Sequence, residues 1–418
     1  MQKTEASIIT IGDELLIGQV IDTNSSWMAQ ELNKAGISVN RRVAVGDNWD
    51  DIWTALDEES KHASVILITG GLGPTSDDIT KPLLCEYFNG KLIVNEEALR
   101  NVKHLFQQVF KRPMIESNLK QAEVPDVCTV IQNKRGTAPG MLFTREDKIF
   151  ISMPGVPYEM KGMMLDYVIP ALAEKFTLPF IVHRTLLTAG VGESFLAEQL
   201  KDFEIGLPSN IKLAYLPSYG MVRLRLTTIS FDKDAAENEI DKYFNILQSL
   251  VKDSLVTNKD EPMARVVGNL LLDQKKFVTT AESCTGGYIA HLITSIPGSS
   301  TFYKGSIISY DNEVKEDILN VSSSTLTNFG AVSEETVKVM ITGVFQKIKA
   351  DYAIAVSGIM GPDGGTKEKP VGTVWIAAGN SKNIITQKIH FRFDRLRNIE
   401  LTSLNALNLL RKFILSEL

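Results

Sequence analysis

Ala281-Glu282-Ser283-Cys284-Thr285-Gly286-Gly287 follows a short apolar, β-branched run, Phe277 to Thr280, and precedes a helix-like segment that begins at Tyr288. A hydroxyl on such a strand-to-helix turn is placed for chemistry. Two glycines let the backbone approach a ligand closely, and the unpaired N–H groups of a helix start can receive an anion or an oxyanion. Ser283 is therefore a candidate nucleophile; a tight β-α turn with a capping serine or threonine is the other reading of the same heptapeptide. A serine nucleophile needs a base. Of the five histidines only His291 and His390 fall in this part of the chain, neither in a suggestive loop, so a Ser-His-Asp arrangement is unsupported. A lysine can serve when burial or nearby cations lower its pKa. Lys315, in the first turn of the helix expected after Tyr310, is the candidate, which gives a cluster of Ser283, Tyr310 and Lys315. The commoner fate of a helical lysine is the solvated surface. Cys284 is a rival nucleophile, although a cysteine beside a strand is usually a small core residue.

Four further loops combine glycine with polar groups. Gly12-Asp13-Glu14 ends the first strand, and Gly70-Gly71-Leu72-Gly73-Pro74-Thr75-Ser76-Asp77-Asp78 follows the third. Glycines there admit a phosphate to the backbone, and Asp13, Glu14, Asp77 and Asp78 are hard oxygen donors suited to a divalent cation. Capping of the next helix is the plainer role for Asp77 and Asp78. Pro154-Gly155-Val156-Pro157 fixes a turn from which Glu159 and nearby amides can face a ligand, and a purely structural turn explains it equally well. In the last third, Gly358 to Thr366 is glycine-rich and can hold a sugar or phosphate, with Lys369 or Arg392 supplying charge; no Gly-Lys-Ser/Thr ends the run, so it is not a P-loop.

The elements that must carry these loops alternate. Strands are expected at Ala6–Ile11, Val39–Val45 and Val65–Thr69, with helices at Asn24–Lys34 and Trp49–Lys61 between them. The last strand is continuously apolar, which argues for a parallel sheet covered on both faces. From about Ala171 a β-α-β-β-α order predicts a small α+β connecting domain, and from Pro262 a second α/β unit begins. At 418 residues the chain exceeds one core, and the expected divisions are 1–170, 171–255 and 256–418. No apolar stretch is long enough to span a bilayer, and no signal-like segment opens the chain, so a cytoplasmic protein is expected. Cys85, Cys128 and Cys284 are separated and show no metal-ligand spacing, as reduced thiols would. A net charge of −6 offers no footprint for nucleic acid, which leaves a small-molecule enzyme as the starting expectation.

Along nearly its whole length the chain resembles the competence/damage-inducible CinA family, through ITIGDELLIGQVIDTN, TGGLGPTSDD, GTAPG, MPGVPYEM, AESCTGG, YDNEVK, GAVSEE and the GPDGGTKEKPVGTV region. The resemblance implies an N-terminal MoaB/MogA-like, molybdopterin-binding type of domain, a small α+β middle domain and a C-terminal α/β amidase domain. It implies hydrolysis of nicotinamide mononucleotide to nicotinic acid mononucleotide and ammonia without a cofactor, and cleavage of ADP-ribose in the first domain with a divalent cation (Mg, Mn or Co). A homodimer that binds no nucleic acid directly and no membrane is expected. By the same resemblance Ser283 is the nucleophile, with Tyr310 and Lys315 activating it. Thr285 and Gly286 stand near the oxyanion, and Gly361, Gly364, Gly365 and Thr366 near the nucleotide. In the first domain Gly70, Gly71, Gly73 and Thr75, with Pro154, Gly155 and Glu159, bind substrate, and Asp13, Asp77 and Asp78 hold the metal. A histidine is usual in the family where Ser76 stands, and a threonine, alanine and glycine where Ser357, Met360 and Asp363 stand.

Overall fold

The computed structural model describes residues 4–75, 77–218 and 220–418, with the side chains of 116 and 117 left undescribed. By its own contacts the chain divides into two units, residues 1–182 with 228–239 and residues 183–227 with 240–418.

The first unit opens with β1 (Glu5–Ile11), α1 (Asp13–Leu16), α2 (Thr23–Lys34), β2 (Ser38–Val45), α3 (Trp49–His62), β3 (Val65–Thr69) and α4 (Thr80–Tyr87). A ribbon of β4 (Leu92–Val94) and β5 (Glu123–Pro125) brackets α5 (Glu96–His104) and α6 (Glu116–Lys120). Then come β6 (Thr129–Ile131), β7 (Gly140–Arg145), β8 (Lys148–Met153), α7 (Pro157–Met163) and α8 (Ile169–Lys175). The main sheet has the order β2-β1-β3-β8-β7-β6. Its first four strands are parallel, as expected, but β7 and β6 are antiparallel. The departure has a simple cause: only Glu146 and Asp147 separate β7 from β8, and a parallel crossover needs about a dozen residues.

Strand alternation sorts the core of this sheet onto two faces. Ile8, Val65 and Leu67 pack with Met28 and Leu32 of α2, while Ile9, Ile66 and Ile68 pack with Ile52 and Leu56 of α3. Asp22 caps α2 by accepting from the Ser25 amide.

The chain continues through β9 (Phe180–Ala189), α9 (Glu193–Ile205), β10 (Ile211–Ser218), β11 (Met221–Ser230), α10 (Lys233–Leu250) and β12 (Leu255–Thr257), with sheet order β10-β11-β9-β12. The last part comprises α11 (Met263–Asp273), β13 (Val278–Glu282), α12 (Tyr288–Thr294), β14 (Tyr303–Ile308), α13 (Asn312–Leu319), α14 (Ser323–Phe329), α15 (Glu334–Lys347), β15 (Tyr352–Gly358), β16 (Thr373–Asn380), β17 (Ile384–His390) and α16 (Arg395–Ser416). Here the sheet order is β14-β13-β15-β16-β17, with β14, β13 and β15 parallel and the last two strands antiparallel. One face, rich in Ala281, Ala353, Ala355 and Ala377, packs on Val337, Ile341 and Val344 of α15; the other meets α11, α12 and α16. Among the described residues no helix is long and apolar enough to cross a membrane.

Small residues let α13 and α15 touch. A Cβ built on Gly343 of α15 would stand 2.1 Å from the Leu319 carbonyl oxygen, a backbone atom that cannot swing aside. Gly343→Ala is therefore expected to destabilise this part of the protein by about 1–3 kcal/mol, the usual cost of overpacking. A shift in its urea midpoint measures this; an unchanged midpoint would show that the two helices separate freely.

Candidate functional site

In the second unit the carboxyl ends of three parallel strands coincide, because Glu282 pairs with Ile308 on one side and Val356 on the other. The backbone continues that alignment by one residue: the Ser309 amide donates to the Glu282 carbonyl at 2.8 Å and the Ser283 amide to the Val356 carbonyl at 3.1 Å. Ser283, Tyr310 and the start of the glycine-rich loop thus leave the sheet at one level. This is where ligands of such sheets bind.

The turn that presents Ser283 is built over a carboxylate the sequence reading passed over. Glu282 is wholly buried, and its Oε2 accepts from the Thr285 hydroxyl at 2.7 Å and the Gly287 and Ile289 amides at 3.1 and 3.0 Å. Its Oε1 accepts from the Ala290 amide at 2.8 Å and the Thr280 hydroxyl at 3.1 Å. The expectation that the helix start offers unpaired amides to an anion is thereby corrected, since those of Gly287, Ile289 and Ala290 are already filled by a side chain of the same strand. The Cys284 and Thr285 amides have no carbonyl or carboxylate acceptor among the described residues. Gly286 adopts a positive φ of 60° with open space where a Cβ would stand, so the backbone lies bare there.

Lys315 is not a surface lysine. It is 1% exposed, and its ammonium donates to the carbonyls of Tyr310 at 3.0 Å and Asp311 at 3.3 Å. Burial holds its pKa below the ordinary lysine value, against the opposing pull of Asp311. The same ammonium acts electrostatically on the Cys284 thiol, which puts it close to the residue next to Ser283. No direct hydrogen bond joins it to the Ser283 hydroxyl. Such contacts often close only when substrate arrives. Cys284 itself is buried, and desolvation, with the Glu282 charge adding to it, pushes its thiol up to about 12, so no thiolate forms near neutrality.

Tyr310 is 60% exposed, and its hydroxyl accepts from Arg395 Nη2 at 2.8 Å while Arg395 Nη1 donates to the Gly361 carbonyl at 2.8 Å. Arg395, at the start of α16, was missed because it lies 112 residues from Ser283 in a segment with no motif; only the fold brings it here. Its charge also reaches Cys284. Of the expected nucleotide-loop residues, Gly361 joins this group. Gly364, Gly365 and Thr366 lie on the exposed outer turn, where the Thr366 hydroxyl accepts from the Lys369 amide at 3.0 Å. The Lys369 ammonium ties that turn to the Phe329 carbonyl at 2.5 Å, so its charge is engaged.

The first unit holds a separate cleft of about 470 Å³ at the carboxyl ends of β1, β3 and β8. Gly70, Gly71, Gly73, Asp77, Asp78, Pro154, Gly155 and Glu159 all line it, as expected, together with Glu14, Asp47 and Gln121. Gly70 must be glycine: its φ is 117°, and a Cβ would stand 2.3 Å from the Ile11 carbonyl oxygen. Asp78 does not cap α4; it braces its own loop, accepting from the amides of Gly73 at 2.7 Å and Thr75 at 2.9 Å and from the Thr75 hydroxyl. Asp13 instead meets Asp47, each accepting from the other's amide at 3.2 and 3.1 Å. Burial, together with repulsion from Asp13, Glu14 and Asp77, holds the Asp47 carboxyl above the usual range. Glu159, raised by burial, accepts from Asn133 Nδ2 at 2.6 Å. Among the described residues no three carboxylate, histidine or cysteine groups converge as ligands would. Ser76 lies outside the described residues.

Three family profiles match the chain: "Probable molybdopterin binding domain" over residues 7–174, "Damage-inducible protein CinA KH domain" over 183–256 and "CinA C-terminal domain" over 260–414. The CinA-like protein of Flavobacterium psychrophilum is 47% identical over 412 residues, covering 98% of this chain and 99% of the relative. The chain belongs to the CinA family. Another CinA-like protein, from Cytophaga hutchinsonii, is 45% identical over 97% of each chain. The solved competence/damage inducible protein CihA from Agrobacterium tumefaciens is 38% identical over 36% of this chain and 92% of its own, with a TM-score of 0.35. Within the family frame, the residues at the end of β13 are the ones its C-terminal profile covers.

With its thiol near 12, Cys284 is expected to react with iodoacetamide at pH 8 on the order of a thousand-fold more slowly than a free cysteine. Peptide mass spectrometry of the labelled native chain reads this, and rapid labelling would show that the turn opens.

Proposed function

We propose that the second unit of this CinA-family chain is a nicotinamide-nucleotide amidase with Ser283 as nucleophile. The observation that carries the reading is the burial of Lys315 beside the Ser283 turn, where desolvation favours the neutral amine a base must be. Ser283 Oγ attacks the carboxamide carbon and its proton passes to Lys315. The tetrahedral oxyanion faces the Cys284 and Thr285 amides. Its collapse breaks the C–N bond, Lys315 returns the proton to the leaving nitrogen, and ammonia departs. Water, deprotonated by Lys315, then cleaves the ester to release the carboxylate and restore Ser283. Arg395, holding Tyr310 and Gly361 together, supplies positive charge for the nucleotide phosphate.

For the first unit we propose metal-dependent cleavage of ADP-ribose. Asp13, Asp47 and Asp77, with Glu14, are hard oxygen donors whose mutual repulsion at Asp47 a divalent cation would relieve, and water would complete its shell. When bound, the ion neutralises pyrophosphate charge. Asp78 then serves the loop rather than the metal. The lack of three convergent ligands among the described residues favours a second reading, in which this unit binds a nucleotide or pterin without turnover and the protein acts as a partner in competence or the damage response. A homodimeric cytoplasmic enzyme remains the expected setting. Residues 183–256 carry no Gly-x-x-Gly, the loop with which KH modules clamp RNA, and this supports small molecules over nucleic acid.

Ser283→Ala is expected to lower ammonia release from nicotinamide mononucleotide by roughly three orders of magnitude or more, leaving ADP-ribose cleavage intact. Retained deamidation would sink the assignment. The pH profile should rise as Lys315 loses its proton, at a pH below the ordinary lysine value because burial depresses its pKa, and then level off. Lys315→Arg, always protonated, should show no such rise; a rise that survives it places the base elsewhere. In the first unit, Asp47→Asn with Asp77→Asn is expected to abolish magnesium-stimulated ADP-ribose cleavage, whereas nucleotide binding without cleavage in the unmodified chain selects the second reading.

A further inference from the structure

Glu282 does more than hold a turn, because its hydrogen bonds fix the direction of every hydroxyl attached to it. Both hydroxyls that reach this carboxyl group donate to it. Thr280 donates to Oε1, so its only proton is committed, and the neighbouring Ser306 hydroxyl must donate to Thr280. Ser306 in turn can only accept from the Tyr303 hydroxyl. The chain Tyr303, Ser306, Thr280 therefore runs one way, from β14 across β13 into the carboxylate. On the other oxygen the Thr285 proton is committed in the same manner. Thr285 thus cannot donate to an oxyanion from its hydroxyl, and what that oxygen has left are acceptor lone pairs.

Resting on the amidase reading above, we propose that Glu282 is a positioning residue that makes the Thr285 hydroxyl an obligate acceptor, and that this acceptor selects a substrate bringing N–H donors, a nucleotide carboxamide, over its carboxylate product. Two residues from Ser283, an acceptor-only oxygen bonds the amide nitrogen and repels a carboxylate oxygen. A site made to hydrogen-bond one group rejects the analogue that lacks it far more strongly than apolar packing can. The same polarity helps the product to leave. The role belongs to this buried network and not to the helix start, whose amides Glu282 already fills.

The experiment uses the full chain and compares KM for the carboxamide with inhibition by the carboxylate product. Thr285→Val, which keeps the shape and loses the oxygen, is expected to raise KM for the amide about ten-fold or more while the acid inhibits as well as before or better. Thr285→Ser should recover the amide-over-acid ratio. Glu282→Gln, which replaces one acceptor by a donor, should shift that ratio toward the acid even where stability falls. Equal losses for amide and acid in Thr285→Val, or a Thr285→Ser variant that behaves like valine, would overturn the proposal and leave the amidase reading standing. No ammonia release from the unmodified chain would overturn both.

Discussion

A carboxylate shut away from water governs the second unit. Leaving the oxygens of a buried acidic side chain unpaired is costly, and Glu282 avoids this because five donors close on it. Those donors come from β13 itself, from the turn and from the first residues of α12. The carboxylate therefore dictates where strand ends, how the chain reverses and where the helix begins. Ser283 inherits its position from that arrangement. So does Lys315 indirectly: α13 follows β14, whose end is hydrogen-bonded to the Glu282 carbonyl.

The two buried charges of this region do opposite work. Glu282 is satisfied and static, with each lone pair directed at a donor. Lys315 has two carbonyl partners and little else, so its ammonium is disfavoured by lost hydration and its neutral form comes within reach. Cys284 lies under both fields and answers mainly to its burial, which keeps it a thiol. In a turn that offers both groups, the dielectric environment thus disfavours the sulfur as a nucleophile, although a thiolate is intrinsically the stronger one.

The first unit handles charge in a more open way. Its carboxylates gather at an open cleft, and burial first, with repulsion from Asp13, Glu14 and Asp77 adding to it, holds the Asp47 carboxyl above the usual range. Of the two neighbouring acidic residues that line the cleft, Asp78 also folds back onto Gly73 and Thr75 and gives the glycine loop its shape.

Much of this was written in local sequence. Alternation and continuous apolar runs foretold β1, β3 and β13, because a strand buried on both faces admits few polar positions. The Ser283 turn and the glycine loop of the first unit were legible as well, since their demands are met within a few residues. What sequence could not supply was long-range pairing. The reversed β7 and β6, the burial of Lys315, the meeting of Arg395 with Tyr310 and Gly361, and Asp47 rather than Asp78 beside Asp13 all arise where separate elements meet. Sequence by itself determined which chemically capable groups of this CinA-family chain stand on strand-to-helix turns and glycine-rich loops. Tertiary structure decided which are desolvated, which are already hydrogen-bonded and which remain free to act, because dielectric and hydrogen-bond supply belong to the packed surroundings and not to the residue.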